Sequence, residues 1–291
     1  MLFLAAIVRR LAPVGTVSYS LAIALELILL PITAIASLPD ASLNYTANLP
    51  RQLAEIRGDK TPGYAVNVPV PEIARQVTVR ILTRPGVGAG VIVARRGQTY
   101  TVLTCEHVVA DSRDNRYTVL TADGRSHTAV WRREAIFGDA DLALVQFTSS
   151  QSYRVAVMGD VSALSIGDTV YASGFPNWHW INKNVIEDTR NWGLRAFRVT
   201  TGTVGMLPTR SLLRGYRIGY TNDVENGMSG GPVLDSKGQL IGINGRLKYP
   251  LQGIDVYRFA DGTVPSQEHF QQMEALSWAI PIDEEVVSGK W

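Results

Sequence analysis

The chain has 291 residues, 46% of them hydrophobic and 19% charged, which is enough apolar content for a sizeable core and too much for a disordered protein. A formal charge of +2 with no run of basic residues excludes an electrostatic footprint for nucleic acid or an acidic membrane surface. Cys105 is the only cysteine, so no disulfide can close within the chain.

The first 36 residues differ from all that follow. Arg9 and Arg10 precede an apolar stretch from Val14 to Leu30, and Ala34-Ile35-Ala36 offers small residues where a signal peptidase would cut. Residues 1–36 are therefore expected to be an export signal. The other reading is an uncleaved membrane tether, in which Glu26 would cost roughly 2.5 to 3.5 kcal/mol near the bilayer centre. Export without disulfides points to a periplasmic or similar extracellular compartment. Residues 37–72 carry Pro39, Pro50, Pro62, Pro69 and Pro71 without a sustained period and are expected to form a linker or arm.

From Glu72 a brief helical start runs into Val77-Thr78-Val79-Arg80-Ile81, which alternates apolar and polar residues like a half-buried strand. Short β-type runs follow at Gly90–Ala94, Thr101–Thr104, Tyr117–Leu120, Ala129–Arg132 and Leu142–Phe147. Others lie at Thr169–Ala172, Arg195–Val204, Tyr216–Tyr220, Val233–Leu234, Leu240–Ile243 and Trp278–Ile282. Their number and their Gly and Asp turns predict an all-β protein of two six-stranded barrels, 73–155 and 156–291. One late helix is predicted over Pro265–Leu276. The segment Phe175–Gly193 holds three tryptophans and reads as a long loop, either self-packed or a rim over a cleft.

Asn226 to Gly245 concentrates the chemistry. Ser229 sits among glycines in Gly227-Met-Ser-Gly-Gly-Pro232, ahead of two apolar runs joined by the turn Asp235-Ser-Lys-Gly238, which predicts a tight loop anchored by a β-hairpin. A serine hydroxyl is a poor nucleophile unless a base and oxyanion donors are at hand. Of four histidines, His107 is the best base, because it follows the strand ending at Thr104 and opens an apolar turn. His127 follows an Asp-Gly-Arg turn and is expected to face solvent, His179 lies in the aromatic loop and His269 on the late helix. A catalytic imidazole needs a carboxylate to fix its tautomer. Asp141, at the start of the Leu142–Phe147 strand, is the choice over the turn residue Asp139.

Gly86-Val-Gly-Ala-Gly-Val-Ile-Val93, Thr101-Val-Leu-Thr-Cys-Glu-His-Val-Val109, Asp141-Leu-Ala-Leu144 and Gly227-Met-Ser-Gly-Gly-Pro-Val-Leu-Asp235 together resemble the signature blocks of trypsin-like serine proteases. The pattern is similar to that of exported bacterial proteases of the HtrA type, including the compact forms found in cyanobacteria. The resemblance implies two antiparallel barrels with a catalytic cleft between them, and a serine endopeptidase acting on polypeptides. It makes Ser229 the nucleophile, His107 the general base and Asp141 its partner, with the N–H groups of Gly227 and Ser229 as oxyanion hole. The sequence shows no metal-ligand cluster and no phosphate loop, so no metal and no cofactor are expected.

Several positions depart from that pattern. Met228 precedes the serine where vertebrate trypsins have an aspartate that pairs with a freed N-terminus, so activation by that ion pair is not expected. Glu106 and Cys105 replace small or amide residues before the histidine. Few residues follow Ile282, and the PDZ domain of HtrA proteases is not expected here. Asp223, counted back from Ser229, stands where trypsin selects Lys or Arg, and Asn244 and Gly245 are expected along the pocket wall. Arg195, Arg198, Arg210, Arg214 and Arg217 are expected to form a solvated basic face. An α/β-hydrolase also fits G-x-S-x-G, but Gly230-Gly231-Pro232 does not start the helix which that fold requires. A catalytically silent trypsin-fold binding protein is the remaining alternative. Oligomeric state has no signal in the sequence.

Overall fold

The structure, a computed structural model, describes residues 68–283 apart from 84, 85, 111, 113, 114, 134 and 136. The signal or anchor expected over 1–36 lies outside the described residues, and so does the expected arm as far as residue 67. The described chain opens with helix α1, Val70–Val77, where Pro71 fits the first turn because its missing N–H would have had no helical partner. Ile73, Ala74 and Val77 fall on one face and are buried. Val77, expected in a strand, thus closes the helix instead.

Two closed antiparallel barrels of six strands follow, the all-β fold that the strand spacing predicts. The first is built from β1 (Thr78–Leu82), β2 (Val87–Arg96), β3 (Thr99–Thr104), β4 (Arg116–Leu120), β5 (Ser126–Trp131) and β6 (Ala143–Thr148), with a short helix α2 (Glu106–Val109) after β3. Around the barrel the order is β1-β2-β3-β6-β5-β4. Val79, Ile81, Ile92, Tyr100, Val102 and Phe147 fill its interior.

The second barrel uses β7 (Thr169–Gly174), β10 (Arg198–Met206), β11 (Ile218–Tyr220), β12 (Pro232–Leu234), β13 (Leu240–Arg246) and β14 (Ser277–Pro281). Its order is β10-β11-β14-β13-β12-β7. Between β7 and β10 the tryptophan-rich segment is not a plain loop: β8 (Trp178–Asn182) and β9 (Val185–Asp188) pair as an antiparallel hairpin. The strand expected to begin at Arg195 begins at Arg198, because Gly193 takes φ of 57° and the chain turns through a 3-10 segment first. Helix α3, Gln267–Glu274, is capped by Ser266, whose hydroxyl accepts from the His269 N–H.

A second apolar cluster joins α1 to both barrels, where Ile73 and Val77 meet Leu103, Leu144, Leu240 and Trp278. This explains why β1 departs from its half-buried pattern: Thr78 to Ile81 are buried on both faces. The face that reads as polar in sequence looks toward the second barrel, where Thr78 Oγ1 lies 2.8 Å from Ser173 Oγ of β7.

Trp278 anchors the cluster, fully buried, edge-on to Tyr257 at 6.2 Å and donating from Nε1 to Met273 O at 3.0 Å. Trp278→Ala is expected to destabilise the protein by about 3 to 5 kcal/mol, seen as a lower urea midpoint at unchanged slope.

Candidate active site

The site sits where loops from both barrels meet. Strand β3 ends at Thr104, and α2 begins directly after Cys105, which fixes the direction of His107. Asp141 precedes β6 and is buried, its N–H bonded to Arg214 O at 3.0 Å. The two side chains meet at 2.6 Å, His107 Nδ1 to Asp141 Oδ2. An ionised carboxylate only accepts, so Nδ1 donates, and in the neutral ring Nε2 is left as the acceptor.

Asp141 takes three further hydrogen bonds. The His107 backbone N–H donates to Oδ1 at 3.0 Å, Tyr216 Oη to Oδ2 at 2.6 Å and Arg214 Nη2 to Oδ1 at 2.6 Å. Burial alone would raise this carboxyl, but the hydrogen bond and charge of His107, together with the Tyr216 hydrogen bond, more than offset it and hold it at about 2. Burial pushes the Tyr216 phenol well above its ordinary range, so it stays a donor. Glu106 is turned to Arg214, accepting from the same Nη2 at 2.8 Å.

Ser229 reaches this place through its backbone. Its carbonyl accepts from Ala89 N–H of β2 at 2.8 Å. The next residue, Gly230, has φ of 85°, and a Cβ there would lie 2.2 Å from both Ala89 O and Thr104 Oγ1, so only glycine allows the approach. Among the described residues no hydrogen bond joins Ser229 Oγ to His107, and catalytic hydrogen bonds often tighten only when substrate is bound. Gly227 takes φ of 95°, and Asn177 N–H donates to Asn226 O at 2.7 Å. In a trans peptide the C=O and N–H point opposite ways, so the Gly227 N–H faces away from Asn177.

Cys105 is fully buried, donates from Sγ to Asn244 O at 3.3 Å, and has its thiol pushed well up by burial, which removes it as a nucleophile. Cys105, His107 and Asp141 do bring ligand-type atoms within 4.8 Å of one another. That donor set suits a metal poorly, since Sγ stays protonated and Nδ1 and Oδ2 are committed to each other.

The comparisons with known proteins bear on the family and the fold. The family described as Trypsin-like peptidase domain matches residues 88–243, more than half of the chain. The chain belongs to the trypsin-like peptidase family. Among its relatives is the serine protease Do-like HtrB of Bacillus subtilis, 31% identical over 185 residues that make 62% of this chain and 36% of that protein. A probable serine protease do-like of Buchnera aphidicola is 28% identical over 243 residues, 80% of this chain and 46% of its own length. The solved HtrA-type protease AlgW with tripeptide shares the fold, with a TM-score of 0.51 at 22% identity over 73% of this chain and 58% of that one. The chain spans less than half the length of these curated relatives.

Of the residues expected along the pocket of this trypsin-like chain, Gly245 lines a cleft beside the site, whereas Asn244 lies buried behind it and Asp223 stands in solvent. Asn244 is buried, linking Tyr220 Oη at 2.6 Å to Met228 O at 3.0 Å through its amide, and so braces the serine loop from beneath. Gly245 lies against Tyr216, whose Oη would be 2.1 Å from a Cβ there. Asp223 is 86% exposed and paired with Lys248 Nζ at 2.7 Å. A cleft of about 580 Å³ borders this region, lined by Arg214, Asn226, Gly245, Lys248 and Tyr249 among others. His127 is half-buried, stacked on Phe147 at 4.7 Å and 2.9 Å from Tyr153 Oη, not solvent-facing as its turn implied. Arg195, Arg210, Arg214 and Arg217 are exposed as expected, but several are committed: Arg198 pairs with Glu225, Arg210 with Asp261 and Arg214 with Asp141 and Glu106. Sequence reasoning missed Arg214 and Tyr216, which no spacing connects to Asp141.

The depressed Asp141 carboxyl makes stability depend on pH. Its contribution, roughly 2 to 3 kcal/mol, is present above the unfolded value near 3.9 and is lost as pH falls through about 2. Urea midpoints taken from about pH 5 down to about pH 2 should fall more steeply for the wild type than for Asp141→Asn.

Proposed function

We propose that the protein is a serine endopeptidase that hydrolyses polypeptides through Ser229, His107 and Asp141. Ser229 Oγ attacks the scissile carbonyl while His107 Nε2 takes its proton, and Asp141 stabilises the imidazolium without itself being protonated. The N–H groups of Gly227 and Ser229 receive the oxyanion. His107 then gives the proton to the leaving amine, and water releases the acyl group from Ser229 by the same steps in reverse. The cleft along Gly245 and Asn226 would hold the substrate chain, extended as an added strand.

One observation favours catalysis over the silent binding protein. The Asn226 carbonyl is held by Asn177 N–H, which turns the Gly227 N–H the other way, and among the described residues neither Gly227 nor Ser229 donates its N–H to a protein acceptor. Donors set in advance are the costly part of an oxyanion hole, each worth about 10² to 10³ in rate. Relatives with periplasmic endoprotease names, such as the DegP-like protein of Buchnera aphidicola, 30% identical over 169 residues, support an exported location. Among the described residues no helix is long and apolar enough to cross a membrane.

A fluorophosphonate probe tests the activity. The wild type should label and degrade casein, and Ser229→Ala should do neither. A folded wild type that takes no label and leaves casein intact is instead the silent binding protein.

Specificity follows from Lys248. Its ammonium neutralises Asp223 and also donates to Thr221 O at 2.7 Å, so this carboxylate offers little to a basic P1 side chain. Asp223→Ser should therefore leave the ratio of kcat/KM for Arg against aliphatic P1 substrates within about threefold, which is under 1 kcal/mol of discrimination. A large selective loss of cleavage after Arg would put Asp223 in the pocket.

A further inference from the structure

Arg80 lies on β1 of the first barrel and is fully buried, yet among the described residues no carboxylate hydrogen-bonds to it, Asp188 acting on it only through its charge. Its guanidinium lies over the Phe175 ring at 5.5 Å and donates from Nη1 to Gly193 O at 2.9 Å and from Nη2 to Thr189 O at 3.1 Å, while Nε is buried without a partner. A desolvated cation is expensive, so a strand position that alternation would give to a small polar residue is being used for reach. What it reaches is the base of the β8–β9 hairpin.

From there hydrogen bonds run without a gap to the serine loop. Thr189 is buried, donating its N–H to Asn177 O at 2.9 Å and its hydroxyl to Pro176 O. Asn177 N–H in turn holds Asn226 O at 2.7 Å. A Cβ on Gly227 would lie 2.3 Å from Asn177 Oδ1 and 2.4 Å from Phe175 O, so the peptide has no slack on that side. At the position where an activation ion pair would act there is Met228, fully buried and apolar. Some other element has to fix this peptide.

We propose that Arg80 is a positioning residue for the oxyanion peptide: through Thr189 and Asn177 it holds the Asn226 carbonyl aside and keeps the Gly227 N–H directed into the site. Arg80 touches no substrate in this scheme. It is the first barrel's grip on the second barrel's oxyanion loop, and it serves the protease reading given above. A hydroxyl-to-carbonyl bond from Thr189 and two guanidinium-to-carbonyl bonds from Arg80 make the connection. Lysine, with a single point of charge, cannot span both carbonyls.

The test uses the full chain as wild type, Arg80→Met, Arg80→Lys and Thr189→Val, the last nearly isosteric and uncharged. Two quantities are measured at a temperature where circular dichroism shows each folded: the rate of fluorophosphonate labelling and the hydrogen exchange of the Asn177 amide. Arg80→Met should label about 10²-fold more slowly, the loss of one oxyanion donor. Its Asn177 amide should exchange at least about tenfold faster, equivalent to about 1.4 kcal/mol of lost protection, while amides of β3 and β13 keep theirs. Arg80→Lys should recover only part of the rate, and Thr189→Val should move both quantities in the same direction by less. If Arg80→Met does not fold, Thr189→Val alone decides. A merely structural Arg80 would lower the melting temperature and leave both quantities unchanged in the folded protein, which overturns the proposal. If the wild type takes no label but its Asn177 protection still depends on Arg80, the relay stands and the protease reading fails.

Discussion

The site depends on satisfying one buried carboxylate. Asp141 accepts from the His107 ring, the His107 backbone, Arg214 and Tyr216, and these donors come from both barrels. An unpaired charge at such depth would cost several kcal/mol, so the two barrels are obliged to meet with these groups facing each other. The same constraint orders the neighbourhood. Glu106 and Asp141 share Arg214, and Cys105 beneath His107 stays a neutral thiol, because burial and the nearby Asp141 charge both oppose a second anion.

A second constraint is the close approach of the serine loop to backbone on either side. A Cβ at Gly230 would meet the first barrel at Ala89 O, and one at Gly231 would lie 2.0 Å from Ser173 O of the second. The glycines around Ser229 are therefore not there for mobility. They let a single turn touch both barrels, with Ser229 O on Ala89 N–H and Gly230 N–H on Asn244 O, so that the serine is positioned by backbone rather than by its own side chain.

Much of this was legible from local pattern. The apolar runs became strands within a few residues, because short β-type runs divided by Gly and Asp turns mark barrel strands even where, as in β3 and β13, both faces are buried. His107, Asp141 and the Ser229 loop were legible because each sits at the end of a strand whose run announces it. Two of the misreadings share a cause. Alternation marks a face as polar but does not say that a second barrel will cover it, which is why Arg80 and Thr78 look solvent-facing in sequence and are buried in the structure. Tyr216 and Arg214 lie far along the chain from Asp141, and nothing local to any of them encodes the meeting. The tryptophan-rich segment failed differently: Trp178, Trp180 and Ile186 remain largely exposed on β8 and β9, so no burial pattern could show that they pair.

That hairpin alters how the departures from the trypsin pattern should be weighed. A methionine before the serine removes one known way of setting the oxyanion peptide, and in the sequence this looks like a loss. In the structure the peptide is gripped from the opposite side, by backbone of the segment leading into β8, and that segment is tied at Thr189 and Gly193 to a cation rooted in the other barrel. An ion pair to a chain terminus can form only after the terminus is freed. A grip made from residues within the fold forms as the barrels dock. The proposed activity would then be tied to the integrity of the interface between the barrels, and whatever loosens the base of the hairpin would reach the oxyanion peptide through three hydrogen bonds, without touching Ser229, His107 or Asp141.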